Sequence, residues 1–169
     1  MRPSPAPLCA ALLLAACSRG SDEPAPAPEP TLTSQPMPTA NAAGEPLTPG
    51  SWRIEEAAGG ASAAFVDQGG AVLMALLCNR NTGALELTRP GPAEGPQTWG
   101  IAVGNRRAAL RMTPTAGQPP ALEAELDPSQ PIIVALLDPA ESITLTAPGA
   151  APLRLPGHSG MSRVIEACS

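Results

Sequence analysis

The sequence predicts an all-β domain: a small antiparallel β-sandwich or barrel of roughly eight to ten short strands, with one short C-terminal helix. Three observations carry this. From residue 50 onward, short runs alternate apolar and polar residues. Clusters of Gly, Pro, Asn and Asp interrupt these runs at close intervals. Only the stretch from Ser159 to the end changes to a helical spacing, with Met161, Val164, Ile165 and Cys168 on one face.

Taken in order, residues 51–55 and 61–66 are short strands parted by Gly59-Gly60. Residues 71–78 (AVLMALLC) are apolar almost throughout, as a central strand covered on both faces requires. A polar loop ending in Gly83 leads into residues 84–89, where Leu85 and Leu87 face inward and Glu86 and Thr88 outward, so the two runs form a hairpin. After a Pro/Gly loop at 90–96, Trp99, Ile101 and Val103 share one face. Gly104-Asn105 is a two-residue hairpin turn. The return strand turns Ala108, Leu110 and Met112 inward and Arg107, Ala109 and Arg111 outward. Leu122, Ala124 and Leu126 alternate with Glu123, Glu125 and Asp127. Residues 132–137 (IIVALL) read as a second strand apolar on both faces, followed by 142–146 and a short strand in PLRLP. Ser159 is placed as the N-cap of the final helix.

Composition narrows the function classes. All ten basic residues are Arg, against fifteen acidic ones, and the net charge of −5 argues against nucleic acid as a partner. With no Tyr, one Phe and two Trp, the core must be aliphatic. No two of Cys9, Cys17, Cys78 and Cys168 have zinc-motif spacing, and no metal or cofactor is expected.

The N-terminal segment has a different logic. Arg2 precedes an apolar run at 6–16, about eleven residues against the roughly 20 a membrane span needs, which is signal-peptide length. The run ends Leu14-Ala15-Ala16-Cys17, which resembles the lipobox of bacterial lipoproteins. The resemblance implies cleavage between Ala16 and Cys17 and lipidation of Cys17. It also implies a mature protein anchored in the membrane through that lipid. Ser18 after the lipidated Cys, in place of Asp, implies sorting to the outer membrane, facing the periplasm. Residues 18–49 hold eight Pro and only Leu32, Met37 and Leu47 as large apolar residues, so they read as a disordered tether with about 100 Å of maximal reach. The organisation is therefore 1–16 signal peptide, 17–49 lipidated Cys and tether, 50–169 β-domain. With Cys17 assigned to lipid and Cys9 to the signal, Cys78 and Cys168 remain as a disulfide pair for an oxidising compartment.

Candidates for chemistry are few. His158, the sole histidine, lies in LPGHSGM beside Ser159, but the Gly-x-Ser-x-Gly pattern of a nucleophile elbow breaks at Met161. Glu55-Glu56 and Glu123/Glu125 read as solvated carboxylates rather than a calcium loop. Arg106, Arg107 and Arg111 form a basic patch beside the Gly104-Asn105 turn, expected to pair across strands with acidic residues. Trp52 and Trp99 read as core or edge anchors rather than a sugar platform. No catalytic residue is assigned, and the domain is expected to be non-enzymatic.

Trp52, Leu76-Leu77-Cys78, the segment from Leu85 to Gly91 and the terminal Arg163-Val164-Ile165-Glu166-Ala167-Cys168 make the domain resemble small uncharacterised lipoproteins of alphaproteobacteria. That resemblance implies the fold and the cysteine pairing. The C-type lysozyme inhibitors also combine a lipobox, a small β-fold and a disulfide. Their inhibitory loop resembles Ser-Gly-x-x-Tyr with a nearby Lys; here HSGMS, residues 158–162, keeps Ser-Gly in a chain with neither Tyr nor Lys. The expected function is a lipid-anchored envelope protein that binds an envelope partner or gives structural support. The alternatives are an inhibitor of an envelope hydrolase and a carrier of a small apolar ligand.

Overall fold

The computed structural model describes residues 38–117 and 119–169; the signal sequence, Cys17 and most of the tether lie outside them. The described chain runs β1 (Ser51–Ala57), β2 (Gly60–Val66), β3 (Val72–Asn79), β4 (Ala84–Pro90), β5 (Gln97–Val103), β6 (Arg106–Pro114), β7 (Ala121–Leu126), α1 (Pro131–Ala135), β8 (Ile143–Thr146), β9 (Leu153–Leu155) and α2 (Gly160–Glu166). The nine strands form one antiparallel sheet in the order β1-β2-β3-β4-β7-β6-β5-β8-β9. The expected all-β class is what the chain adopts, as a curled sheet or half-barrel.

Local chemistry accounts for most of the strands. β1 and β2 pair from Ser51↔Val66 to Ala57↔Gly60, and β3 and β4 pair as the hairpin expected from their patterns. Gly104 holds φ 56°, the left-handed conformation that the two-residue turn between β5 and β6 demands. Gly60 has no room for a side chain, because a Cβ there would strike the Cys78 carbonyl on β3. Inward positions are sealed as the alternation requires: Leu85, Leu87, Ile101, Val103, Leu110, Met112, Leu122 and Leu126 are all buried.

The sheet has two halves. The β1–β4 meander takes β7 as its fifth strand, while β6, β5, β8 and β9 make the other half. Along the sheet the halves meet over a short ladder, Thr113↔Glu123 and Pro114↔Leu122, extended by the Thr115 N–H donating to the Ala121 carbonyl at 2.8 Å. At the far side the two outer strands approach one another. Trp52 on β1 donates its indole N–H to the Pro156 carbonyl just beyond β9, at 2.9 Å. The Thr48 N–H donates to the Arg154 carbonyl on β9 at 2.7 Å.

Three expectations need correction. Residues 132–137 are not a strand: Pro131–Ala135 is helix α1. Pro131 stands in its first turn, where a missing N–H costs nothing and a fixed φ helps. Ile132, Ile133 and Leu136 face the core, a helical set, while Val134 and Leu137 face out. A short apolar run satisfies both periods, so pattern alone could not decide. Second, β3 is central as expected, but only its inner face is fully sealed: Met74, Leu76 and Cys78 are buried there, while on the other face Ala75 is buried and Leu73 and Leu77 are only partly so. Third, residues 39–49, read as the end of the tether, are part of the folded unit. The Asn41 carboxamide oxygen accepts from the backbone N–H of Ala43 and Glu45 at 3.0 and 2.8 Å. Ala40 bridges Pro46, Leu47 is buried, and Arg154 pairs with Glu45 at 2.8 Å. Proline content reports a poor core former, but one Asn turn, one Leu and one ion pair suffice to dock this segment.

Both helices pack on the inner face of the sheet, α1 against β5 and β6 and α2 against β2 and β3. Ile133→Ala is therefore expected to cost about 2–5 kcal/mol, and Val134→Ala less than about 0.5 kcal/mol. Urea unfolding of the two variants checks this, and equal costs would contradict a helical segment.

Candidate functional site

The side chains singled out in the sequence separate cleanly. Cys17 and the cleavage position Ala16 lie outside the described residues. Cys78, on the inward face of β3, and Cys168, just past α2, are brought to disulfide distance, with Cα atoms 5.6 Å apart. Their separation of 90 positions spans most of the domain. The pairing is a product of α2 packing on β2 and β3.

His158 is engaged by backbone beside Ser159. The His158 Nδ1 accepts the Gly160 N–H at 3.0 Å, so the imidazole caps the start of α2. The expected cap, Ser159, already has helical dihedrals and makes no side-chain cap bond; a cap residue normally needs an extended backbone to reach N2 or N3. Gly160 is buried against Ile54 while Ser159 is exposed, so the Ser-Gly pair stands at the start of a packed helix.

Trp52 and Trp99 are both buried, as expected of core anchors. Trp52 meets Phe65 edge-on with ring centroids 5.2 Å apart, and Trp99 donates to the Gln97 carboxamide at 3.0 Å. Among the described residues no cluster of His, Cys, Asp or Glu could hold a metal ion.

The carboxylates form a surface cluster. Glu86 on β4 stands directly opposite Glu125 on β7, with Glu123 nearby on the same face. Partial burial, then the neighbouring Glu123 and Glu125 charges, push the Glu86 carboxyl above its usual value. Glu45 moves the other way, because Asn41 and then Arg154 donate to it. Glu56 meets Arg163 at 3.4 Å, an exposed pair. Arg89 shares the inward parity of Leu85 and Leu87; it donates to the Leu73 carbonyl at 2.8 Å, and burial lowers its pKa.

The basic patch departs from expectation. Arg106, Arg107 and Arg111 are exposed, and among the described residues none makes an ion pair, for the two observed pairs belong to Arg154 and Arg163. β6 and β7 pair only at the far end of β6, so Arg106 and Arg107 are not brought alongside Glu123 and Glu125; Arg111 shares a groove with those carboxylates without an ion pair. Instead Asn105, Arg106, Arg107 and Ala108 face Gln130, Pro131 and Ile132 across a groove of about 520 Å³. Sequence reasoning found the arginines and missed the groove, because its other wall is the helix misread as a strand. Pro131, which follows the Asp127-Pro128-Ser129 turn and suits the first turn of a helix, was the one signal available in the sequence.

Fold and site together define a class: a curled antiparallel half-barrel, lined by two short helices, with a basic groove at one strand edge. No family model and no curated protein sequence matches the chain. Among solved structures the chain is similar to invasion associated protein B from Bartonella henselae, at 19% identity and a TM-score of 0.41, over 72% of this chain and 93% of that one.

The carboxylate cluster yields a pH-dependent prediction. A raised carboxyl pKa in the fold means a penalty that is absent below the unfolded value and develops as pH rises through the folded one. Glu86→Gln should therefore stabilise the protein at neutral pH by a few tenths of a kcal/mol after solvent screening, roughly 0.2–0.5. The gain should vanish below about pH 4. Urea midpoints at both pH values measure it, and an equal gain at both would point away from charge repulsion.

Proposed function

We propose that this chain is a lipid-anchored cell-envelope protein whose β-domain works without catalysis, as a binding or structural module facing the periplasm. The observation that carries the reading is Leu14-Ala15-Ala16-Cys17, at the end of an apolar run of signal-peptide length. Two or three acyl chains on Cys17 supply an anchor that one chain cannot, at about 0.8 kcal/mol per buried methylene. Ser18 favours the outer membrane as the destination. The Pro-rich segment that follows then acts as a spacer between lipid and domain.

Support also comes from Cys78 and Cys168. Their approach to disulfide distance suits an oxidising compartment, where the pair bonds and clasps the domain. A bond closing a loop of this length contributes up to about 4–5 kcal/mol in the chain-entropy model. That is a large share of the stability of a small domain with few aromatics.

Nothing in the geometry favours the two alternatives over this reading. The Ser-Gly pair that an inhibitor would present is held at the start of α2. The inward residues that could line a carrier's cavity, such as Leu76, Leu87, Met112 and Ile133, are fully buried in one cluster.

Two measurements test the reading. Cells fed labelled palmitate should incorporate it into the wild-type protein, which should fractionate with outer membrane. Cys17→Ala should lose both label and membrane association, and retention of either would defeat the anchor. Crosslinking in cells should then recover a specific envelope partner. Separately, thiol alkylation of the purified mature protein should leave Cys78 and Cys168 unlabelled until reductant is added. Replacing both by Ser should cost about 2–5 kcal/mol. Two reactive thiols in unreduced protein would remove the clasp.

A further inference from the structure

We propose that the open edge of β6, from Arg106 to Arg111, is a docking seam for an extended acidic segment of a partner protein, which adds beside β6 as a further strand. The proposal deepens the binding-module reading and rests on it.

The backbone is the first ground. β6 pairs with β5 continuously from Arg106 to Met112. On its other side only Thr113 and Pro114 have ladder partners, both on β7. Alternate peptide groups between Arg106 and Met112 therefore face outward along an edge that no strand among the described residues occupies. Natural sheets usually cover or blunt such an edge, and where they leave it open it is a template for strand addition. The outermost strands β1 and β9 each have one unpaired side as well, but only single bonds from Trp52 and Thr48 link them, and neither carries a row of arginines without an ion-pair partner among the described residues.

The second ground is what flanks the edge. The groove between Arg106–Ala108 and the first turn of α1 runs along it. The same helix turns outward two large apolar residues, Val134 at 49% and Leu137 at 38% exposure. A docked strand alternates its side chains with a period of two. One set would lie on the outer face with Arg107 and Arg111; the other would turn toward Ala108 and Ile132.

Charge then selects the occupant. Arg106, Arg107 and Arg111 carry positive charge without an ion-pair partner among the described residues, in a chain whose net charge is −5. The carboxylates nearby are at the ends of the seam: Glu141 against Gly104 at the turn, and Glu123 and Glu125 sharing a groove with Arg111 at the other end, which leaves Arg106 and Arg107 as the charge a partner meets first. A second copy is disfavoured, because antiparallel pairing of β6 with itself sets arginines against arginines. An anionic membrane would meet the charge but has no use for the strand edge. An acidic segment with apolar residues at alternate positions satisfies edge, groove and charge together.

The test uses the full chain in detergent and a labelled peptide alternating Glu and Val. Fluorescence anisotropy should show saturable binding. Binding should weaken at least about tenfold in the Arg106→Glu/Arg107→Glu double variant and remain unchanged in Arg53→Glu, on β1. The same peptide N-methylated at alternate residues keeps its charge but cannot complete a ladder, and should lose at least about tenfold as well. If the double variant fails to fold, Arg111→Gln serves in its place, with a loss of a few-fold expected. Equal binding of the methylated peptide, or of the arginine variants, would overturn the proposal. So would binding to phosphatidylglycerol vesicles with no binding to the peptide. Lipidation and a partner crosslink that survive in Arg106→Glu/Arg107→Glu would reject the seam while leaving the anchored binding module in place.

Discussion

The fold depends on filling a curled sheet whose inner face is aliphatic and small. β2 contributes Ala61 and Ala63 to that face and β7 contributes Ala124, and the aromatic volume of the core comes from Phe65, Trp52 and Trp99 alone. Protein interiors tolerate few voids, so a sheet of this composition needs additional volume from elsewhere in the chain. The two helices provide it. α1 brings Ile132, Ile133 and Leu136 against β5 and β6; α2 brings Met161, Val164 and Ile165 against β2 and β3. Each fully buried side chain of this size contributes about 1.5–3 kcal/mol, so the helices belong to the core and are not ornaments on it.

The other distinctive features follow from that requirement. α2 must lie on β2 and β3, and this alone carries Cys168 to Cys78 across 90 residues of chain. α1 must follow β7 directly and pack on β5 and β6. β6 and β7 therefore pair only at the far end of β6, around Thr113 and Pro114, and the rest of the β6 edge stays open beside the helix. Among the described residues the arginines on β6 have no ion-pair partner for the same reason. The groove, the open edge and the cysteine pair are three consequences of how the interior is filled.

Much of this was legible residue by residue. The strand alternation of β4, β6 and β7 needed nothing but the side-chain period, since one polar face and one buried face leave little choice of register. The Gly104-Asn105 turn was equally explicit, because only a left-handed residue makes it. The cysteine pairing could be reached by reserving Cys17 for lipid, and the two cysteines do meet. The groove could not be read, since Arg106 and Arg107 meet Gln130, Pro131 and Ile132 only through tertiary packing. The role of His158 was also hidden, for which side chain caps α2 depends on the dihedrals of Ser159.

The sequence by itself determined the all-β class, the faces of most strands, the composition of the core and the lipobox pattern from which an envelope location is inferred. These rest on periodicity, turn chemistry and a short motif, all of which act within a few residues. Only the tertiary structure decided the strand order, the helical state of Pro131–Ala135, the docking of residues 39–49 and the open side of β6. Each turns on which distant surfaces meet. A run such as IIVALL is compatible with strand or helix until the volume it must fill is known.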